Sequence, residues 1–228
     1  MATFNLAKGG AFRLEKGIEL VHSGLVWEPP ATGPAVDLDV HCFGLVHPGG
    51  DPDRARLYND GSHALCYAFV KGPGNPGGSL VKNVDGSFQT ADGAMWHERD
   101  DRTGRGGARS APADAPKAEH HDEEGFREEF QVTLAALPEE VAELAVWATI
   151  HDGERKRQDF GAVGTAYIEV CDAMDVELCR YRLGTEFAGK TTVQVASFLK
   201  GPDGAWTFHA VGAGSNAGLG EVIQAYLG

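Results

Sequence analysis

Short runs in which apolar and polar residues alternate, cut at close intervals by glycine, proline and aspartate, leave this chain few ways to fold. Period two places successive side chains on opposite faces of a strand, so each run can bury one face and wet the other. Such runs occupy residues 12–14, 19–27, 35–46, 129–134, 145–151, 166–170, 177–183, 191–199 and 206–211. Turn sequences separate them. Residues 29–34 read Pro-Pro-Ala-Thr-Gly-Pro, and Gly201-Pro202-Asp203-Gly204 between Leu199 and Trp206 has hairpin composition. Many short strands with turns between them describe an all-β fold, a β-sandwich of two mostly antiparallel sheets. Two short helices fit the pattern, one at 138–144 opened by Pro138 and one at Leu219–Leu227 by the C-terminus. A chain of 228 residues can bury a substantial core, and one domain over 1–228 is the expected organisation.

Two stretches depart from the alternation. Residues at about 71–97 open on a Gly- and Pro-rich segment and read as an excursion holding a hairpin at Asp85-Gly86. Residues 104–125 carry Gly, Ala, Pro and charge without apolar periodicity, and about 105–125 is expected to be an insertion with too little apolar surface to offset its ordering entropy.

Charge and cysteine usage exclude several functions. A formal net charge of −13 argues against nucleic-acid binding, which needs clustered Lys and Arg, and points toward cations or simply toward solubility. Cys42, Cys66, Cys171 and Cys179 show no C-x-x-C spacing and read as free buried thiols. No apolar run reaches the ~18 residues a membrane helix needs, and residues 1–10 lack a signal-peptide core, so a cytoplasmic location and no membrane span are expected.

The candidate chemistry lies in carboxylates: Asp37-Leu38-Asp39, Asp100-Asp101, and a third group at Asp122, Glu123, Glu124, Glu128 and Glu129. Carboxylates gathered on loops repel one another unless a cation neutralises them, and hard oxygens suit calcium better than zinc or copper. In an extended segment Asp37 and Asp39 share a face while Val36, Leu38 and Val40 turn to the core. A solvated strand edge guarded by charge is the plainer reading of that pair alone. An EF-hand is excluded: with Asp37 as position one, position six is Cys42 rather than Gly and position twelve is Pro48 rather than Glu. Any calcium site must therefore join separate loops.

Eight motifs in order resemble the TerD family of tellurium-resistance and calcium-binding bacterial stress proteins. They are Asn5-Leu6-Ala7-Lys8-Gly9-Gly10, Gly24-Leu25-Val26-Trp27, Asp37-Leu38-Asp39, Tyr58-Asn59, Asp100-Asp101-Arg102-Thr103-Gly104, Ile150-His151 with Gln158-Asp159-Phe160-Gly161, Arg180-Tyr181-Arg182-Leu183, and Trp206 through Gly212. The resemblance implies a compact β-sandwich that binds calcium through acidic loops, with no established catalytic reaction. It carries the metal site onto Asp37, Asp39 and Asp100, with Asp101 standing where the family has Asn and Arg99 where it has Gly. An extra carboxylate favours a divalent cation, whereas a guanidinium beside the site opposes it. The family's last acidic run is displaced here by the insertion. Alignment back from the strand at Phe130 selects Glu128, and alignment on charge selects Asp122, Glu123 and Glu124; we take Glu128. The expected Ca2+ ligands are thus Asp37, Asp39, Asp100, Asp101 and Glu128, completed by carbonyls and water.

Other groups carry plainer readings. His151 beside Asp152 could serve as base or ligand, but a structural histidine is the simpler account. Asn59 could reach the cation loops or cap a turn. His120-His121 reads as solvated loop, and the glycines from Gly212 to Gly220 miss the G-x-G-x-x-G spacing and read as a flexible lead-in to the last helix. No G-x-S-x-G occurs, and no serine or cysteine stands in a nucleophile motif. The leading expectation is a non-enzymatic calcium-binding stress module with protein partners in a stress-resistance complex. The alternatives are an interaction domain with a degenerate metal site and a metal-dependent hydrolase assisted by His151.

Overall fold

The computed structural model describes residues 3–28, 33–99 and 128–228. In chain order the strands and helices are β1 (Phe4–Leu6), β2 (Ala11–Arg13), β3 (Leu20–Trp27), β4 (Leu38–Val46), β5 (Arg56–Leu57), β6 (Ala64–Leu65), β7 (Val81–Lys82), β8 (Phe88–Gln89), β9 (Met95–His97), β10 (Glu128–Thr133), β11 (Glu143–Ile150), α1 (Gly153–Lys156), β12 (Ala166–Asp172), β13 (Glu177–Leu183), β14 (Thr192–Lys200), β15 (Trp206–Ser215) and α2 (Leu219–Leu227). Among the described residues they form an eight-stranded sheet, β1-β13-β12-β3-β10-β9-β8-β7, and a seven-stranded sheet, β2-β15-β14-β11-β4-β5 with β6 also on β4. Every pairing among these strands is antiparallel except β1 with β13. This is the all-β arrangement that the alternation implies.

The core is made of side chains at every second strand position, among them Val21, Leu25 and Trp27 of β3, Phe130 and Val132 of β10, and Ile168 and Val170 of β12, all fully enclosed. Trp27 also donates its indole N–H to the Val36 carbonyl at 3.1 Å, fastening the segment that leads into β4. The outer face of the seven-stranded sheet has its own apolar cover. The α2 residue Tyr226 meets Phe43 and Trp147 edge-on, with centroids at 6.0 and 6.3 Å.

The helix expected at 138–144 does not form. A turn closes there through Val141 N–H to the Pro138 carbonyl, and Glu143 and Leu144 start β11. They pair with Leu45 and Gly44 on one side and Leu199 and Phe198 on the other, so ladders on both flanks override the local proline signal. The glycine-rich lead-in is also corrected in part, because Gly212 and Gly214 belong to β15. Within 71–97 the structure places β7, β8 and β9 on the edge of the eight-stranded sheet, with Gly86 at φ 97° in the β7–β8 turn. Residues 105–125 lie outside the described residues. None of the four cysteines forms a disulfide, and all are buried. Burial pushes the Cys66 and Cys179 thiols up to about 12 and Cys42 higher still, which leaves them inert as nucleophiles.

Candidate cation site

Val36, Leu38 and Val40 are enclosed in the core, and Asp37 and Asp39 lie on the opposite side, as alternation requires. Asp37 is nonetheless buried rather than solvated. The cover comes from β11 and the loop beyond it. Leu38 pairs with Ile150, and His151 N–H donates to the Asp37 carbonyl at 2.9 Å, so the chain after β11 passes over the two aspartates. It turns through α1, with Asp152 and Arg157 in left-handed conformation at its two ends. Gln158 then fixes the turn from below: its side-chain amide donates to the Ala35 carbonyl at 2.9 Å, and its backbone N–H donates to the Gly153 carbonyl at 2.8 Å. The Ile150-His151 and Gln158 to Gly161 motifs are therefore a frame for the Asp37 segment.

This frame brings two basic groups to the acids. Lys156 Nζ lies 3.7 Å from Asp37 Oδ2, and His151 Nδ1 lies 3.8 Å from Asp39 Oδ2. His151 is 57 % exposed and also approaches Asp152 Oδ2 at 3.7 Å. Asp39 and His151 border a cleft of about 400 Å³ completed by Thr149, Arg155, Thr191 and Asn216.

The opposite sheet contributes Glu128, the first residue of β10. Its Oε2 accepts the Val40 backbone N–H at 2.6 Å, the peptide that joins Asp39 to Val40. His97 of β9 takes the other half of the same residue, with Nε2 2.9 Å from the Val40 carbonyl. Its Nδ1 lies 2.7 Å from the Glu98 carbonyl, and the ring stacks on Phe88 at 4.7 Å. Carbonyls only accept, so the two bonds coexist only on a doubly protonated ring. Behind β4, His41 faces Thr149 Oγ1 at 3.0 Å. Burial first, and the charge of His97 second, lower its pKa to about 3. His41 is therefore neutral.

Asp37, Asp39 and Glu128 thus lie at one end of the sandwich, drawn from both sheets, with Glu128 joined to the Val40 N–H beside Asp39. Asp100, Asp101, Asp122, Glu123, Glu124, His120 and His121 lie outside the described residues. The described chain stops at Arg99 and resumes at Glu128 at this same end, where Glu98 N–H bonds the Glu129 carbonyl at 2.9 Å. The Arg99 stem lies over the β7–β8 turn, where a side-chain carbon on Gly86 would meet it at 3.4 Å. There the Ser87 hydroxyl, mainly, and the Arg99 charge, to a smaller extent, hold Asp85 below the usual carboxylate range. Asn59 acts through its backbone, its carbonyl capping a turn by accepting Ser62 N–H at 3.2 Å. Among the described residues no group of three or more His, Cys, Asp or Glu is arranged to hold a metal ion. The three carboxylates fit calcium in donor chemistry, being hard oxygens, and fall short of its six to eight ligands in number.

The fold and this acidic end define a class: a two-sheet sandwich with aspartates at the start of a central strand, framed by the loop after β11. The TerD domain family matches residues 86–226. The chain is 31 % identical over 230 residues to the tellurium resistance protein TerD of an Alcaligenes species, covering 97 % of this chain and 96 % of that protein. General stress protein 16U of Bacillus subtilis (strain 168) is 27 % identical over 232 residues, covering 98 % and 97 %. In fold, a crystal structure of a homologue of telluride resistance protein (TerD) from Streptomyces coelicolor A3(2) superposes with a TM-score of 0.57 at 21 % identity, over 92 % of this chain and 96 % of that one. The chain belongs to the TerD family. These two relatives are named as a resistance and a stress protein, and among the described residues no helix is long and apolar enough to cross a membrane.

Proposed function

We propose that this chain is a single-domain cytoplasmic calcium-binding stress-response protein whose acidic end acts by binding rather than turnover. The observation that carries this reading is the bond from the Glu128 carboxylate of one sheet to the Val40 N–H of the other, next in sequence to Asp39 and three residues from Asp37, with Lys156 Nζ 3.7 Å from Asp37 Oδ2. Asp100 and Asp101 belong to the segment that leaves and re-enters at this end and would complete the ligand set. Calcium supplies two positive charges to hard oxygens. The chain's own groups do the rest: Glu128 holds the Val40 peptide across the sheets, and Gln158 holds Ala35 so that Asp37 stays on its face. Ordering of these loops would present a surface to protein partners in a stress complex.

A second reading has its own support. Lys156 and His151 already lie against Asp37 and Asp39, as expected of an interaction domain in which side chains have taken over from a metal. One experiment separates the two: calcium titration of chelator-stripped protein by calorimetry, with thermal unfolding in chelator and in excess calcium. A ligand at 100 times its dissociation constant adds about 2.7 kcal/mol to stability. A calcium-selective rise of that order, with magnesium weaker, supports the calcium protein. Absence of heat and of any shift leaves the interaction domain.

A further inference from the structure

Away from the acidic end, the structure assembles a serine, a histidine and an aspartate in relay order. Ser62 Oγ lies 3.0 Å from His63 Nδ1, and His63 Nε2 lies 2.9 Å from Asp92 Oδ2. The two ends of this chain of bonds come from separate turns, one after β5 and one between β8 and β9. Adjacent residues at 62 and 63 and an acid 29 positions on give no signal in the sequence, because a relay is defined by geometry and not by spacing.

The protons in the relay are fixed by its last member. Asp92 Oδ1 accepts the Thr90 hydroxyl at 2.6 Å and the Ala94 N–H at 3.0 Å. Burial is the largest single influence on this carboxyl and works to raise it, but the Thr90, Ala94 and His63 bonds together hold it below its ordinary range. It is therefore an ionised acceptor, and His63 Nε2 must carry the proton. In the neutral imidazole Nδ1 is then a lone pair facing Ser62, and the serine hydroxyl donates to it. The ring cannot swing: it is buried, and Tyr58 meets it edge-on at 5.1 Å. The serine itself is half-buried and follows Asn59, Asp60 and Gly61, three successive residues at φ 42°, 51° and 93°. Two are not glycine, so the backbone leading to Ser62 is strained, a state that clusters at reactive sites.

We propose that Ser62 is an activated nucleophile, with His63 as its general base and Asp92 as the group that orients the base, and that the site hydrolyses small carboxylic esters. Ser62 Oγ attacks the ester carbonyl carbon as its proton passes to His63 Nδ1. The carbon–oxygen bond to the leaving group breaks, and His63 returns that proton to the departing alcohol. Water then loses a proton to Nδ1 and adds to the acyl carbon; the bond to Ser62 Oγ breaks, the acid leaves and the serine recovers its proton. Asp92 stays ionised throughout. This site is separate from the acidic end and does not depend on calcium.

The test is covalent labelling of the intact protein with a fluorophosphonate probe, read by intact mass and peptide mapping, together with hydrolysis of p-nitrophenyl acetate. One adduct on Ser62 is expected, absent in Ser62→Ala, with labelling and turnover slowed on the order of 100-fold in Asp92→Asn. Circular dichroism establishes that both variants are folded. Should Asp92→Asn unfold, the wild type against Ser62→Ala decides alone. No adduct on Ser62, or equal turnover in Ser62→Ala, overturns the proposal and leaves the relay as a tie between two turns.

Discussion

Strand β4 begins and ends at buried carboxylates, and the two ends solve the same electrostatic problem differently. At its far end Glu143 is satisfied from within: one oxygen faces His47 Nε2 at 2.9 Å and the other accepts the Ser197 hydroxyl, which Gln194 backs at 3.1 Å. At its near end Glu128 accepts the Val40 N–H, and the basic groups that approach Asp37 and Asp39, Lys156 and His151, are long or exposed side chains. The first arrangement is closed and fixes structure. The second leaves its aspartates beside basic groups that are long or exposed, which is the feature the proposed cation binding would use.

The sharpest way to break this contrast is Glu143→Ala. It strips partners from His47 and Ser197 in a buried place, so a loss of about 3 kcal/mol is expected in denaturant unfolding, with the calcium response unchanged. Asp37→Asn combined with Asp100→Asn should do the reverse: the ~2.7 kcal/mol gained in saturating calcium disappears while the folded core stays intact. A double variant that binds calcium like the parent would falsify the ligand assignment.

A third test uses pH. His41 has a folded pKa of about 3, below its unfolded value of 6.5, so as pH falls from 6.5 toward 3 the unfolded chain takes up a proton that the native ring refuses. Its stability contribution is whole above pH 6.5 and shrinks as pH falls, by about 1 kcal/mol per unit. His41→Gln should flatten the melting temperature against pH between 6 and 4. The smallest effect belongs to Lys156→Met. Its ammonium is partly exposed, and removing a competitor of that kind should tighten calcium binding about threefold, read by calorimetry.

Much of the sandwich is written in local pattern. All nine alternating runs became strands because each has one face to bury and the core requires it. Strands β5 to β9, of two or three residues, are shorter than a period needs to show itself, and β1 joins β13 in parallel, a pairing with no local signature. The residues at 138–144 carry a true helix-start signal that pairing on both sides outweighed. At the acidic end, alternation correctly separated Asp37 and Asp39 from Val36, Leu38 and Val40. It could not reveal that Glu128 would cross between sheets to the Val40 N–H, or that His97 would meet the carbonyl of the same residue, because those bonds join positions 88 and 57 apart.

That pair of bonds has a further consequence for how the molecule behaves in a crowded cell. Strands β5 and β6 pair with β4 only at Leu45 and Val46 and at Cys42 and Phe43, so at Val40 the ladder has run out on that side. An open N–H and C=O there would template the docking of a foreign strand. Glu128 and His97 occupy both groups and so act as a strand made of two side chains, closing the ladder where its neighbours end.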